Sequence, residues 1–370
     1  MQLSSILASV RFLKCPLGLY LYLRSGMNQL LFKSKNLLAT LCILLFSTYA
    51  VQGQFVEYSQ FQMSPSSLNP ALTGIAHGPR IALLYRNQWP QLNGGANGGF
   101  TSYHLDYAQH VESLSGGIGL SMDQHQVGNG LYKRSAMAAS YAYQARNRTN
   151  TFAVRIGLSA LYQFQGYDVN NLRFLDQIDP VYGFTNISGT PNTSADAGQL
   201  QPNIHEFNMN AGLSIVSPRG YLGLSFYNFL PSPALFENTI KNGGFRVHGS
   251  YAFPLDLRRK SSNFIAPFAL FSHQGELNRI TVGTELTIHP LFFSVGFRHT
   301  IGGTDAVYTG LGFALNQFKL MYSHDIHFAQ SSAMQASHEI SLVFNLSKET
   351  NSVRPSYIEG KLLCPSHFLY

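Results

Sequence analysis

Charge is scarce in this chain of 370 residues. Asp, Glu, Lys and Arg make up 12% of it, about half the ~25% of an ordinary globular protein. Tryptophan occurs once, as Trp89, and cysteine three times, as Cys15, Cys42 and Cys364. Two of those cysteines lie within residues 1–53, so the remainder keeps one thiol and holds no intramolecular disulfide. Beyond residue 53 no apolar run approaches the roughly 20 residues a helix needs to cross a bilayer, which excludes a helical membrane bundle. Disorder is excluded as well, because it requires high charge and few aromatics. What is plentiful is 27 Phe, 20 Tyr and 33 Gly, within a hydrophobic fraction of 45%. Abundant aromatics and glycine without long apolar runs fit alternating strands, greasy on one face and polar on the other.

The formal net charge of +7 belongs mostly to the start of the chain. Residues 1–53 hold Arg11, Lys14, Arg24, Lys33 and Lys35 and no acid; the first acid is Glu57. Removing those five from the 25 basic residues leaves 20 against 18 acidic ones. No basic stripe is left to neutralise phosphates, so nucleic-acid binding loses its support. Lys33 and Lys35 precede the apolar stretch from Leu37 to Ala50, and Val51-Gln52-Gly53-Gln54 follows. A basic flank, a short apolar core and small residues define a secretory signal peptide, with cleavage expected after Ala50 or after Gly53. The stretch is too short for a membrane anchor. Met27, just ahead of the lysines, is the expected start, with residues 1–26 upstream of it.

Period-two alternation runs through the rest. Phe152, Val154, Ile156, Leu158, Ala160, Tyr162 and Phe164 alternate with Thr151, Arg155, Gly157, Ser159 and Gln163. The same pattern holds in 204–215, 279–288 and 338–346. Weaker versions occur at 80–89, 98–109, 116–124, 132–144, 219–229, 244–253, 263–272, 291–299, 306–315 and 317–326. These make about fourteen strands of roughly ten residues, the length that crosses a bilayer when tilted. Some links are very short, such as His289-Pro290, whereas 166–203, rich in Asn, Gly, Pro and Asp, reads as one large loop. Short turns on one side and longer loops on the other are the habit of outer-membrane barrels. A soluble β-sandwich would carry more Lys and Glu to blunt its edges. Here the polar face is Ser, Thr, Asn, Gln and Gly, which suits a hydrated lumen, and Tyr and Phe recur near strand ends as an interfacial girdle requires. The expected fold is an all-β transmembrane antiparallel β-barrel of about 14 strands in the cell outer membrane. Its expected layout is an N-terminal extension and signal peptide at 1–53, a lead-in or plug segment at 54–79, the barrel at 80–346 and a tail at 347–370.

Three stretches read together carry a family resemblance. They are Tyr58-Ser-Gln-Phe-Gln-Met-Ser-Pro-Ser-Ser-Leu-Asn-Pro-Ala-Leu-Thr-Gly74, Leu84-Tyr-Arg-Asn-Gln-Trp-Pro-Gln-Leu-Asn-Gly94, and Gly117-Ile-Gly-Leu-Ser-Met-Asp123 leading to Ser140-Tyr-Ala-Tyr143. Together they resemble the PorP/SprF family of Bacteroidota outer-membrane proteins, associated with type IX secretion and gliding motility. Leu172-Arg-Phe-Leu-Asp-Gln-Ile-Asp-Pro-Val-Tyr-Gly-Phe184 is similar to a loop of that family. The resemblance covers about residues 54–346. The tail, closing on Leu363-Cys-Pro-Ser-His-Phe-Leu-Tyr370, departs from barrels that end on an aromatic last strand. The resemblance implies a non-enzymatic accessory component that helps secrete or attach a client protein, such as a gliding adhesin, through its C-terminal domain. Its implied partners are that client, other type IX components and outer-membrane lipid. The alternative function is a porin-like channel or transporter for small solutes.

Four residues stand out as candidate partner or plug contacts. Asn69-Pro70, with Ser64-Pro65, restricts the lead-in to extended or turn conformations. That segment either tucks into the barrel or forms an ordered periplasmic approach to the first strand. Trp89, beside Pro90, is expected as an interfacial anchor. Arg86, three residues earlier, faces the opposite side, as a plain lumenal charge or as the holder of a carboxylate or plug. Thirteen histidines raise a metal hypothesis. The closest pair, His324 and His327, sits on opposite faces of a strand, and His273, His289 and His299 lie singly near strand ends. No HExxH, GxSxG or phosphate-loop motif is present, so neither cofactor nor catalytic residue is expected.

Overall fold

Alternation of apolar and polar residues becomes a closed wall in the computed structural model. It describes residues 57–346 apart from 77, 93–98, 150, 169–171, 173, 197–202, 231, 234–239, 242, 256–262, 276, 316, 329–333 and 335. The expected signal segment and the 347–370 tail lie outside the described residues. Fourteen antiparallel strands form the wall: β1 Arg80–Gln88, β2 Phe100–Val111, β3 Gly116–Val127, β4 Tyr132–Arg146, β5 Ala153–Tyr167, β6 Asn203–Val216 and β7 Gly220–Tyr227. The second half is β8 Gly244–Tyr251, β9 Phe264–Gln274, β10 Leu277–Ile288, β11 Leu291–Ile301, β12 Ala306–Leu315, β13 Phe318–His327 and β14 Ala336–Asn345. Each pairs with the next, and β14 pairs with β1 in the register Arg80↔Asn345 to Gln88↔Ser337. Closure leaves no edge strand, the condition for a sheet in lipid.

Strand direction sorts the connections. One rim carries both ends of the wall, the tight turns 112–115, 147–152, 217–219, 289–290 and 316–317, and one longer link, 252–263. The other carries the long links 89–99, 168–202, 228–243 and 328–335 together with the short ones 128–131, 275–276 and 302–305. By the usual asymmetry of such barrels the long-loop rim faces the cell exterior and the short-turn rim the periplasm. Outward positions are exposed and apolar: Leu120, Ile156, Leu158, Leu222, Val282, Val295, Leu311 and Ile340. They form the lipid-facing belt.

Residues 57–76 run inside the barrel in three short helical turns, Phe61–Met63, Pro65–Leu68 and Pro70–Leu72. The lumen departs from the hydrated interior expected of its polar face. Inward positions of the wall include Ala82, Leu84, Phe268, Leu270, Phe292, Tyr308, Met321 and Val343, all buried. Tyr58 and Met63 pack on Ala82, Leu84, Phe292, Met321 and Val343. Phe61 and Leu68 pack on Phe268, Leu270 and Tyr308, while Leu72 and Ile75 meet Val216 and Tyr221. Burying a side chain such as Phe61 contributes roughly 1.5–3 kcal/mol. These apolar inward residues sit inside strands whose outward face is also apolar, so period two alone hides them.

Candidate functional site

The interior segment is held at two places by different means. Its root, Asn69 to Thr73, lies in a bed made by inward glycines. A Cβ built on Gly157 would overlap the Pro70–Ala71 peptide, one on Gly212 the Asn69 amide, and one on Gly117 the Thr73 carbonyl. The backbone approaches the wall that closely because these positions carry no side chain. Asn69 is fully buried, and its Oδ1 accepts from the Ala71 N–H at 2.8 Å. Its Nδ2 donates to the carbonyls of Leu213 and Leu224, both at 3.2 Å, and lies 3.0 Å from His248 Nε2. Pro70 begins the helical turn that Asn69 caps, where a missing N–H costs nothing. Arg155 completes the root by donating from Nε to the Ala71 carbonyl at 2.7 Å and from Nη2 to the Thr73 carbonyl.

The leading part, Glu57 to Gln60, is held by charge. Arg86 is 1% exposed, with Nη2 donating to Asp325 and Nη1 to Glu339, each at 2.8 Å. Arg298 reaches Asp325 at 3.3 Å. Two cations thus balance two carboxylates, a requirement for burying charge. Ser59 sits among them: its hydroxyl donates to Asp325 at 2.6 Å and accepts from Arg86 at 2.8 Å and Arg298 at 2.7 Å. The N–H groups of Ser59 and Gln60 donate to the two oxygens of Glu339, both at 2.9 Å. Glu57, nearer the long-loop rim, accepts from Arg279 at 2.9 Å, and the positive field of Arg279, Arg246 and Arg298 outweighs burial to hold its carboxyl below the usual range. A polar cavity of about 140 Å³ remains beside the segment, lined in part by Ser66, Asp123, His125 and Arg134. That volume holds a few waters.

Sequence reasoning passed over Ser59, Asp325, Glu339 and Arg298. For Arg298, Asp325 and Glu339 the signal was present in their parity, since each lies on the lumenal face of its strand, whereas Ser59 lies on the interior segment and shows no parity; the juxtaposition awaits closure. Trp89 follows β1 directly at the long-loop rim and is partly buried. Its φ of 56° breaks the strand's alternation, and its ring packs edge-on against Phe100 at 5.4 Å and the inward-facing His327 at 5.8 Å.

The middle of the segment holds a Ser–His–Asp arrangement. Ser64 Oγ lies 2.8 Å from His104 Nε2, and His104 Nδ1 lies 2.7 Å from Asp123 Oδ1. It lacks what acyl transfer needs. Ser64 is wholly buried, and the hydroxyl also meets the Asp106 carboxylate at 3.3 Å, which would oppose an oxyanion. Pro65 next to it has no N–H to offer. Ser66 donates to the same Asp106 at 2.6 Å. The arrangement clamps the segment to β2 and β3.

At the long-loop rim, residues 174–196 fold on themselves. Asp176 accepts from the Ser194 hydroxyl at 2.8 Å and the Ala195 N–H at 2.8 Å. Asp179 accepts from Val181 and Tyr182 N–H at 2.7 and 2.9 Å. The Ser194 hydroxyl holds the Asp176 carboxyl below its ordinary value, and the Tyr182 and Val181 amides do so for Asp179. Gln177 and Asn192 exchange side-chain bonds with each other's carbonyls at 2.9 and 2.8 Å. Yet the loop leaves Leu175 86%, Val181 79% and Ile187 79% exposed.

A closed barrel with an apolar outer belt and a polypeptide-filled lumen defines an outer-membrane β-barrel protein. The particular family follows from the sequence model of the type IX secretion system membrane protein PorP/SprF, which matches residues 50–344; the chain belongs to this family. It is therefore a membrane component of type IX secretion, located in the outer membrane and working with other components of that system. No protein of curated function matches it. Among solved structures it is similar to the CymD monoaromatic hydrocarbon channel (13% identity, 80% of this chain and 94% of that one, TM-score 0.46). It is also similar to the P. putida toluene transporter TodX (11%, 78% and 94%, 0.44) and to Acinetobacter baumannii Omp33 (8%, 74% and 99%, 0.41).

Proposed function

We propose that the protein is a non-enzymatic accessory component that assists the secretion or surface attachment of a client protein, such as a gliding adhesin, through the client's C-terminal domain. The observation that carries this reading is the ordered loop at 174–196. Its backbone is fixed by internal hydrogen bonds while Leu175, Val181 and Ile187 stand in solvent. Exposed apolar side chains on a pre-shaped surface mark a protein contact. The filled lumen favours the same reading over a solute channel, because residues 57–76 occupy the path. Asn69, Pro70 and Arg86 then serve the interior segment, and the client meets the rim.

Gene deletion tests it. The expected result is loss of one cell-surface protein with small-solute uptake unchanged, and Val181→Ser/Ile187→Ser reproduces that loss in a barrel of normal abundance. Impaired solute uptake with an intact surface proteome would overturn the reading in favour of a channel.

A further inference from the structure

The interior segment has a direction, and the strand ends around it define that direction. Glu57 accepts from Arg279 at 2.9 Å and from the Ser272 hydroxyl at 3.5 Å. With Tyr227, Arg246, Gln274 and Leu277 it encloses a small space. Tyr227 and Gln274 are the last residues of β7 and β9, Leu277 is the first of β10, and Arg246 and Arg279 are the third of β8 and β10. All of them stand at the long-loop rim. Gln60 lies deeper, donating to Ser323 of β13 at 2.8 Å and to the Glu339 carbonyl at 3.1 Å.

The other end reaches the opposite rim. The Thr73 carbonyl meets Arg155, the third residue of β5, and Gly74 lies against Gln109 and Gly117, near the end of β2 and the start of β3. The Pro79 carbonyl accepts from the Leu346 N–H at 2.8 Å just before β1 begins. The segment therefore crosses the lumen once, from the long-loop rim at Glu57 to the short-turn rim. Signal cleavage after Ala50 or after Gly53 leaves six or three residues ahead of Glu57. Six extended residues reach about 20 Å, less than the ~25 Å height of an apolar belt. The new amino terminus cannot return along the wall to the short-turn rim.

We propose that the segment is threaded amino end outward, so that the processed amino terminus emerges through the mouth of the lumen onto the cell surface and forms one partner-facing surface with the 174–196 loop. Threading follows from the contacts of Glu57 to Gly74, and its cell-surface side from the long-loop rim facing the exterior. The contact with a secreted client rests on the function proposed above. The base of this chain end is fixed: Arg279 holds Glu57, and Glu339 holds the Ser59 and Gln60 amides. A short end leaving a fixed point inside the ring of long loops stays beside them, within reach of whatever binds there. The partner is therefore a protein outside the cell, and a periplasmic component has no access to it. Threading also belongs to closure of the wall. Arg86 of β1 and Glu339 of β14 both bond Ser59, so the two strands that meet last in sequence grip the segment between them.

The test labels the full chain in intact cells with a membrane-impermeant maleimide, in a Cys364→Ser background. Gln54→Cys probes the chain end. Ser188→Cys, exposed on the long-loop rim, and Arg148→Cys, exposed on the short-turn rim, are the references. The thiols at 54 and 188 react on intact cells, and the thiol at 148 reacts only after the outer membrane is permeabilised. A thiol at 54 that reacts only together with the one at 148 overturns the threading, and reaction at 148 but not at 188 on intact cells overturns the cell-surface placement. If the mouth shields position 54 in both states, a short epitope inserted after Gln54 carries the same comparison with antibody. A photo-crosslinking side chain at position 54 then joins the surface protein that gene deletion removes, and one at position 148 does not. An adduct from position 188 without one from position 54 overturns the contact. Should gene deletion remove no surface protein, the proposed function and the contact fall together, while the labelling still judges the threading.

Discussion

Arg86 concentrates the electrostatics of the interior. Its guanidinium lies between Asp325 and Glu339 and under the Ser59 hydroxyl, all out of reach of solvent. Removing one member of a buried ion pair strands the other, at a cost of about 3–5 kcal/mol. Arg86→Gln is expected to lose that much in urea unfolding followed by gel migration. Arg86→Gln/Glu339→Gln removes one charge of each sign, leaves Arg298 with Asp325, and is expected to be less destabilised than Arg86→Gln alone. A double variant as unstable as the sum of its single variants would show that the pair is not coupled. Residue 86 was legible as lumenal from alternation. Its partner was not, because Glu339 lies at the other end of the chain and becomes its cross-strand neighbour only where β14 meets β1.

At the scale of elements, the segment 57–76 and the strands around it define each other. Glycines in β3, β5 and β6 create the bed, and the root of the segment fills it. Gly157→Val would drive a branched side chain into the Pro70–Ala71 peptide. Overpacking of this kind costs about 1–3 kcal/mol, and moving the root out of the bed is the available relief. The expected outcome is a folded barrel that conducts ions in planar bilayers; conductance unchanged from the unaltered protein would count against the bed. The strands themselves were readable because each shows lipid on one side. A glycine within a strand signals close approach, but nothing local names the backbone that approaches it.

At the scale of the whole molecule, a wall with an internal polypeptide behaves as a filled cylinder. The unaltered protein is expected to be nearly silent in planar bilayers while shifting its gel mobility on heating. Steady open-channel currents would show that the segment does not seal the lumen. The two rims differ: the ordered loop at 174–196, with its exposed apolar side chains, stands on the long-loop rim, and both ends of the wall lie on the other.

The membrane wall is written in the sequence. Period-two alternation, scarce charge and aromatic strand ends leave few alternatives to a barrel of fourteen strands, because a strand that separates lipid from interior must write both environments into consecutive residues. The family resemblance, resting on motifs spread along the chain, was equally legible. What fills the barrel and what holds it there emerge from the folded molecule. Arg86 with Asp325 and Glu339, Asn69 with His248, and Pro70 on Gly157 are contacts between residues far apart in the chain. Closure of the sheet brings them together, and no local pattern records which inward face will meet which.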